Sequence, residues 1–397
     1  MRQSVSFWHH LVLKHLRVLL EESQSYTSLQ VQTFLDFVDQ RLIQLDALGP
    51  PPTSPSASWK SYLTDDHSPV EYSLSIKKDF CAVRLAFEPL SPKTFGPCGT
   101  DYVNHNAPLQ WLSQQSIGGD AMLWFQTLVE LLTITPSTSR CDVGIKQVAR
   151  GLTQHVFAFD LVKEPLLKSY VFHDALARQV ATSTSSWGDE KDKLLSHAMN
   201  ALGLSTPWDK LATYLDHLRN SCPEYAGQTE FIGWDMVAPE TARMKVYVRF
   251  AQAGLTQLLS HLDLGIKAAA AEMWQALLGD DHLSASDIDD CDTRTHGVIL
   301  YYELKKNQRD PVAKFYLPVR HYLSSDLVIA ERFDAFLAKK QLRKPGWYLA
   351  MLQRYCDHRP LDGRAGLQTM VGCASRNGEW EVSIYLSSEV FAPERWT

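Results

Sequence analysis

Residues 243–248 read Arg243-Met-Lys245-Val-Tyr247-Val, so charged or aromatic side chains alternate with apolar ones. This period of two is typical of a β-strand with one buried face, because successive strand side chains point to opposite sides of the sheet. The stretch therefore predicts a strand that presents a cationic and aromatic face on one side and an apolar face on the other.

The same pattern recurs along the chain. A cation lies two positions before a tyrosine in Lys168-Ser-Tyr170 and Lys314-Phe-Tyr316, and a serine replaces the cation in Ser383-Ile-Tyr385. Successive occurrences are about 70 to 80 residues apart, and the alternating stretch Cys81-Ala-Val-Arg84-Leu-Ala-Phe87 lies one step earlier. We interpret this recurrence as five structural units.

Each unit is predicted to contain two helices followed by two strands. Helical spacing of apolar residues predicts helices near 5–22, 28–46, 109–132, 144–150, 190–202, 207–220, 256–278, 326–340 and 347–355. Alternation predicts strands at 70–76, 81–88, 154–161, 167–172, 230–237, 243–250, 297–304, 313–318, 368–374 and 381–387. Ten strands avoid exposed edges by closing into a barrel with the helices outside, so we predict one α+β domain over residues 1–397.

Composition narrows the class of protein. A net charge of −6 argues against a general nucleic-acid binder, which usually carries a basic surface. The seven cysteines are scattered and odd in number and form no Cys-x-x-Cys pair, so they indicate neither a disulfide framework nor a zinc site. No apolar run suits a signal peptide or a membrane span. We expect a cytoplasmic monomer or homodimer without nucleic-acid or membrane partners.

Several stretches together resemble the dimethylallyltryptophan synthase family of aromatic prenyltransferases. They include, in the family's order, Ser68-Pro-Val-Glu71-Tyr, Val83-Arg84-Leu-Ala-Phe87-Glu88-Pro89, Lys168-Ser-Tyr170, Ala242-Arg243-Met-Lys245-Val-Tyr247-Val-Arg249, Tyr301-Tyr302-Glu303-Leu and Lys314-Phe-Tyr316-Leu-Pro318. The resemblance implies the ααββ (ABBA) prenyltransferase barrel, in which ten antiparallel strands surround a shielded interior. It also implies that an allyl diphosphate and an aromatic acceptor react there without a cofactor or an obligatory metal.

The residue types on the predicted polar face suit this chemistry. Cleavage of an allylic diphosphate needs cations on the leaving oxygens and electron-rich surfaces around the carbocation. We predict that five cations bind the diphosphate, namely Arg84, Lys168, Arg243, Lys245 and Lys314. We predict that four tyrosines shield the carbocation and exclude water, namely Tyr170, Tyr247, Tyr316 and Tyr385.

Two further residues are assigned to the acceptor. Glu71 shares a strand face with Ser73 and Ser75, which points its carboxylate toward the same interior. The resemblance implies that Glu71 accepts a hydrogen bond from an indole N–H. His155 is a candidate for the base that finally removes the ring proton.

No metal site is predicted. The acidic clusters Gly279-Asp280-Asp281 and Asp287-Ile-Asp289-Asp290-Cys-Asp292 lack the Asp-Asp-x-x-Asp spacing that holds a diphosphate-bridging magnesium ion. We read both as solvated loop. One departure from the family lies at 368–374, where Met370 and small residues replace tyrosines that cap the diphosphate in many members.

The sequence thus predicts transfer of a dimethylallyl group from dimethylallyl diphosphate to an indole acceptor, tryptophan or a tryptophan derivative, in secondary-metabolite (alkaloid) biosynthesis. Two alternatives remain open at this point. The acceptor could be a tyrosine-like or polyketide phenol, or the barrel could bind an anionic metabolite without catalysis. Release of pyrophosphate separates an enzyme from a carrier.

Overall fold

A computed structural model describes residues 2–94, 101, 103–135, 153–181, 187–221, 227–250, 259, 262, 264–279, 296–376 and 378–396. The α-helices in these ranges are α1 (Arg2–Glu22), α2 (Ser28–Val38), α3 (Asn106–Ser113), α4 (Gly119–Leu132), α5 (Asp174–Val180), α6 (Trp187–Ala201), α7 (Ser205–Ser221), α8 (Leu264–Leu278), α9 (Asp326–Lys339) and α10 (Trp347–Tyr355).

The strands are β1 (Val70–Ile76), β2 (Cys81–Phe87), β3 (His155–Leu161), β4 (Leu166–Val171), β5 (Gln228–Asp235), β6 (Met244–Phe250), β7 (Val298–Leu304), β8 (Val312–Leu317), β9 (Gln368–Arg376) and β10 (Glu379–Ser387). Each pairs antiparallel with the next, and β10 returns to β1, so the barrel is closed. The predicted ten-stranded antiparallel barrel is confirmed.

The outer face of the barrel is the apolar face that the alternation predicted. Met244, Val246 and Val248 on β6 are all fully buried beneath the surrounding structure. Full burial of one such side chain contributes about 1.5 to 3 kcal/mol relative to its exposure. Helix α8, for example, packs against β8 and β9. This apolar layer fixes which side of every strand faces the interior.

The helices differ from the prediction in three places. The single helix expected at 109–132 is divided into α3 and α4, because Gly118 has an extended backbone conformation and begins α4 as its N-cap. Helix α5 was not predicted, and a π-helical turn, Asp39–Ile43, continues α2. The helix expected at 144–150 lies outside the described residues. None of the helices within the described ranges has the length and apolar character needed to cross a membrane.

The segment at 59–67 crosses one end of the barrel. Trp59 donates its indole N–H to Glu88 Oε1 at 2.9 Å, and the Tyr62 backbone N–H donates to Thr153 Oγ1 at 2.9 Å. Asp65 forms an ion pair with Arg320. These partners lie just beyond β2, β3 and β8, so the segment covers that end. The opposite end carries the β1–β2 and β9–β10 hairpins.

Candidate active site

The barrel encloses a cavity of about 700 Å³ that extends to the hairpin end, where Lys77, Phe80 and Trp380 line it. Ten of the eleven residues singled out from the sequence line this one cavity. They are Glu71, Arg84, Lys168, Tyr170, Arg243, Lys245, Tyr247, Lys314, Tyr316 and Tyr385. Strand pairing thereby brings together residues from the first and the last strand of the chain.

The first group of cations surrounds Asp160. Lys168 Nζ donates to Asp160 Oδ2 at 2.6 Å, and Arg84 Nε lies 3.1 Å from Asp160 Oδ1. Burial alone would raise the pKa of Asp160, but Arg84 and Lys168 outweigh it and hold that pKa below its usual value. Asp160 is therefore a carboxylate shared by two cations.

Asp235 makes the equivalent contact on the next strand pair. Arg243 Nε donates to one carboxylate oxygen at 2.6 Å, and Lys245 Nζ donates to the other at 3.0 Å. Against the opposing effect of burial, Lys245 and Lys168 lower the pKa of Asp235 far below its usual value. Asp235 thus stays ionised between the two cations predicted to contact the diphosphate.

Glu381 completes the set on β10. Lys314 Nζ donates to Glu381 Oε1 at 3.1 Å, and Lys77 Nζ lies 3.3 Å from Glu381 Oε2. Lys314 also donates to Ser383 Oγ at 3.1 Å, so the serine that replaces a cation in the repeat has a defined partner. The proximity of Lys314 is the main cause that lowers the pKa of Glu381.

The sequence did not predict the three carboxylates that are each shared by two cations, namely Asp160, Asp235 and Glu381. Glu303, which lies 3.7 Å from Arg243, lines the same cavity, but the cations outnumber the carboxylates, so the layer near the hairpin end is electropositive. Burial destabilises the charged form of Lys168, which is only 5% exposed. Burial and the nearby cations Lys245 and Arg84 lower the pKa of this lysine to about 7. A bound polyanion would restore the charged form of this lysine.

A layer of tyrosines lies next to the cations. The ring centroid of Tyr247 lies 6.3 Å from that of Tyr170, 5.4 Å from that of Tyr301 and 6.3 Å from that of Tyr316. The ring centroids of Tyr316 and Tyr385 are 5.9 Å apart. The predicted four therefore form one continuous set, to which the structure adds Tyr301. Burial raises the pKa of Tyr247 well above its usual value, so the ring stays a neutral phenol.

Glu71 lies beyond the tyrosines, toward the closed end of the barrel. On β1, Ser73 pairs with Tyr385, and Glu71 pairs one step further with Ser387. The carboxyl is 7% exposed and accepts a hydrogen bond from Thr369 Oγ1 at 2.9 Å. Burial raises its pKa to about 8, with smaller opposing effects of the Thr369 hydrogen bond and Arg320.

The prediction for His155 has to be corrected. His155 shares its strand face with Phe157 and Phe159, which belong to the apolar layer outside the barrel, and it does not line the cavity. Its ring lies 6.1 Å from that of Phe125, it is fully buried, and burial lowers its pKa to about 3. A side chain on the outer face cannot receive a proton from a substrate inside, so His155 is not a direct base.

The acidic clusters discussed as magnesium ligands, residues 280–281 and 287–292, lie outside the described residues. Within the described ranges, one group has the spacing of metal ligands, formed by Cys356, His358 and Glu389. Glu389 already forms ion pairs with Arg359 and Arg364, and none of these residues lines the cavity. This group therefore belongs to a buried ion-pair network rather than to the site.

Comparisons with known proteins agree with this geometry. The sequence profile of the family described as tryptophan dimethylallyltransferase matches residues 4–355. The chain is 26% identical to a 4-O-dimethylallyl-L-tyrosine synthase of Claviceps purpurea over 92% of this chain and 84% of that protein. It is 27% identical to a 7-dimethylallyltryptophan synthase of Aspergillus fumigatus over 82% of this chain and 73% of that protein.

Solved structures share the fold. The crystal structure of AnaPT from Neosartorya fischeri has a TM-score of 0.75 at 20% identity, covering 94% of this chain and 91% of that one. A 6-dimethylallyltryptophan synthase from Micromonospora olivasterospora, crystallised in complex with DMASPP and Trp, has a TM-score of 0.71 at 18% identity, with coverage of 96% and 97%. The closed ten-stranded barrel and the match over most of its length show that this chain belongs to the tryptophan dimethylallyltransferase family of aromatic prenyltransferases.

Proposed function

We propose that the cavity binds dimethylallyl diphosphate and an aromatic acceptor in three successive layers. The observation that carries this proposal is the order of the layers along the barrel axis. On β4, β6 and β8 the lysine lies two residues nearer the hairpin end than the tyrosine of the same strand, and on β1 Glu71 lies two residues farther from that end than Ser73, which pairs with Tyr385. A diphosphate, an allyl group and an acceptor fit this order from the hairpin end inward.

Each layer has one chemical task in the proposed reaction. When the allylic C–O bond breaks, its electrons leave with pyrophosphate, whose growing charge is stabilised by the cations. The allyl cation is attracted to the tyrosine rings, each contributing about 0.5 to 2 kcal/mol where water is excluded. The acceptor then forms the new bond and loses a proton. Because the cations compensate the diphosphate charge, we propose that neither a metal nor a cofactor is required.

The first candidate acceptor is the indole of tryptophan or a tryptophan derivative. Glu71 is buried at the acceptor end and can accept the indole N–H, which increases electron density in the ring as the positive charge develops. The relative from Aspergillus fumigatus, whose name assigns dimethylallylation to tryptophan, supports this acceptor. The product would be an alkaloid precursor.

A second candidate is the phenol of tyrosine or a similar compound, and one observation favours it. The pKa of Glu71 is raised to about 8, so its carboxylate is a much stronger base than an ordinary glutamate. A base whose pKa is near the working pH is better matched to a phenol O–H, which has a pKa of about 10. The relative from Claviceps purpurea, which is named for the tyrosine oxygen, supports this candidate.

The experiment that tests the proposal offers L-tryptophan and L-tyrosine together with dimethylallyl diphosphate and identifies the products by mass spectrometry. The expected result is one prenylated amino acid and pyrophosphate in equal amounts. Absence of pyrophosphate would instead support the non-catalytic carrier.

Glu71→Gln separates the acceptors within the same experiment. For an indole assayed above pH 8, where Glu71 is a carboxylate, the variant loses a charge-assisted hydrogen bond, about 1 to 2 kcal/mol in binding and more in turnover. An N-methylated indole should then be a poor substrate of the wild-type protein and should lose little further in the variant. For a phenol, Glu71→Gln removes the base, so O-prenylation should fall more steeply, and the loss should be smaller for acceptors with more acidic phenols.

A further inference from the structure

Two of the tyrosines are each paired with a glycine on the next strand. Tyr170 on β4 pairs with Gly233 on β5, and Tyr316 on β8 pairs with Gly372 on β9. A Cβ atom at Gly233 would lie 2.4 Å from Cδ1 and 2.6 Å from Cε1 of Tyr170. At Gly372 it would lie 2.7 Å from the same two atoms of Tyr316. Both rings therefore occupy the space that a side chain would need.

The glycines are otherwise unfavourable at these positions. A glycine inside a strand lowers stability because it has more backbone freedom to lose and no side chain to pack, and it often marks a close approach by another group. Neither glycine has the positive backbone φ angle that would require this residue type. At both positions the tyrosine ring makes the closest approach that only glycine permits, and at Gly372 a Cβ atom would also lie 3.2 Å from the backbone oxygen of Phe315.

The other two tyrosines have different neighbours. Tyr247 pairs with Tyr301, and Tyr385 pairs with Ser73, which already carries a Cβ atom. The glycine neighbours are thus specific to Tyr170 and Tyr316, the rings that lie on either side of Tyr247 at 6.3 Å each. These rings rest against the neighbouring strand, so they lie along the wall of the cavity that they line.

We propose that Gly233 and Gly372 are positioning residues that hold the rings of Tyr170 and Tyr316 against the barrel wall and so define the space for the prenyl group. This inference rests on the proposed function, in which the tyrosines surround the allyl cation. An added methyl group would displace a ring toward the barrel axis, narrowing the donor site and opening the contacts that exclude water. Water could then capture the cation, giving dimethylallyl alcohol and a proton in place of the prenylated acceptor.

The test is a double-mutant cycle between Gly372 and Tyr316, with Gly363→Ala as the matched control. Gly363 is exposed, and a methyl group there would meet no atom closer than 4.0 Å. Gly372→Ala should lower kcat/KM for the donor about tenfold or more, since overpacking of a filled site commonly has an effect of that size. It should also raise the fraction of dimethylallyl alcohol among the products, whereas Gly363→Ala should change neither quantity.

In the Tyr316→Ala background, Gly372→Ala should have a clearly smaller effect, because the ring that it displaces is gone and only the 3.2 Å approach to the Phe315 backbone oxygen remains. The inference is overturned if Gly372→Ala folds and keeps the wild-type kcat/KM and alcohol fraction, or if the two substitutions act additively. The melting temperatures of the wild type, the two single variants and the double variant give a second cycle. This cycle measures the clash between the added methyl group and the Tyr316 ring even if a variant is poorly active. Failure of the proposed function would be seen separately, as a wild-type protein that releases no pyrophosphate.

Discussion

Raising the pH should weaken donor capture through Lys168. In the empty cavity, burial and the nearby Lys245 and Arg84 lower the pKa of this lysine to about 7. The diphosphate is expected to bind the protonated form, so its apparent affinity falls with the fraction of molecules in that form. Taken as the ratio to Lys168→Arg, in which the titration of Glu71 near pH 8 cancels, the kcat/KM for the donor should therefore be constant at low pH and fall about tenfold, or about 1.4 kcal/mol, for each pH unit above about 7.

The assay measures initial pyrophosphate release between pH 6 and pH 9 at a saturating acceptor concentration, for wild-type protein and two variants. Lys168→Arg keeps a charge that does not titrate in this range, so its profile should lose the decrease that belongs to Lys168. Asp160→Asn removes the carboxylate that accepts from Lys168 Nζ at 2.6 Å, so the decrease should begin at a lower pH. If wild-type protein and Lys168→Arg decrease at the same pH, the decrease belongs to another group and Lys168 does not control donor capture.

Three further predictions concern the diphosphate site, the metal and the scaffold. Arg243→Ala or Lys245→Ala should reduce turnover by about 2 to 4 kcal/mol of transition-state stabilisation, and full activity in either variant would remove that residue from the diphosphate site. Excess EDTA should leave the reaction rate unchanged. Complete loss of activity that added magnesium restores would instead indicate a metal site formed by the acidic residues 280–292. Asp334 accepts hydrogen bonds from two backbone N–H groups at the start of α10, so Asp334→Ala should lower the free energy of unfolding by about 1 to 2 kcal/mol in urea titrations without changing the pH profile of activity.

The alternation of residue types predicted the cavity lining well because it is a local property. In Arg243-Met-Lys245-Val-Tyr247, a period of two assigns each side chain to one face of the strand, and the apolar face must be the covered one. The same rule excludes His155 from the interior. His155 is two and four residues from Phe157 and Phe159, so all three side chains lie on the same face of the strand. Because the two phenylalanines are apolar, this spacing by itself indicates the outer face.

The features that were missed depend on pairing between distant strands. Asp235 pairs with Lys168 across β4 and β5, and Gly372 pairs with Tyr316 across β8 and β9. Such neighbours follow from the register of strands that are tens of residues apart, which no single segment specifies. The shared carboxylates and the glycine contacts therefore emerged only with the barrel. The break between α3 and α4, by contrast, was signalled locally by consecutive glycines at 118 and 119.

The proposed reaction requires that one closed cavity couples diphosphate departure to prenylation of an aromatic acceptor. The decisive quantity is the stoichiometry of pyrophosphate to prenylated product, with dimethylallyl alcohol quantified in the same samples. The layered site predicts one prenylated acceptor for each pyrophosphate and little alcohol, with pyrophosphate release dependent on the acceptor. Pyrophosphate accompanied mainly by alcohol at saturating tryptophan and tyrosine, or no pyrophosphate at all, would contradict it.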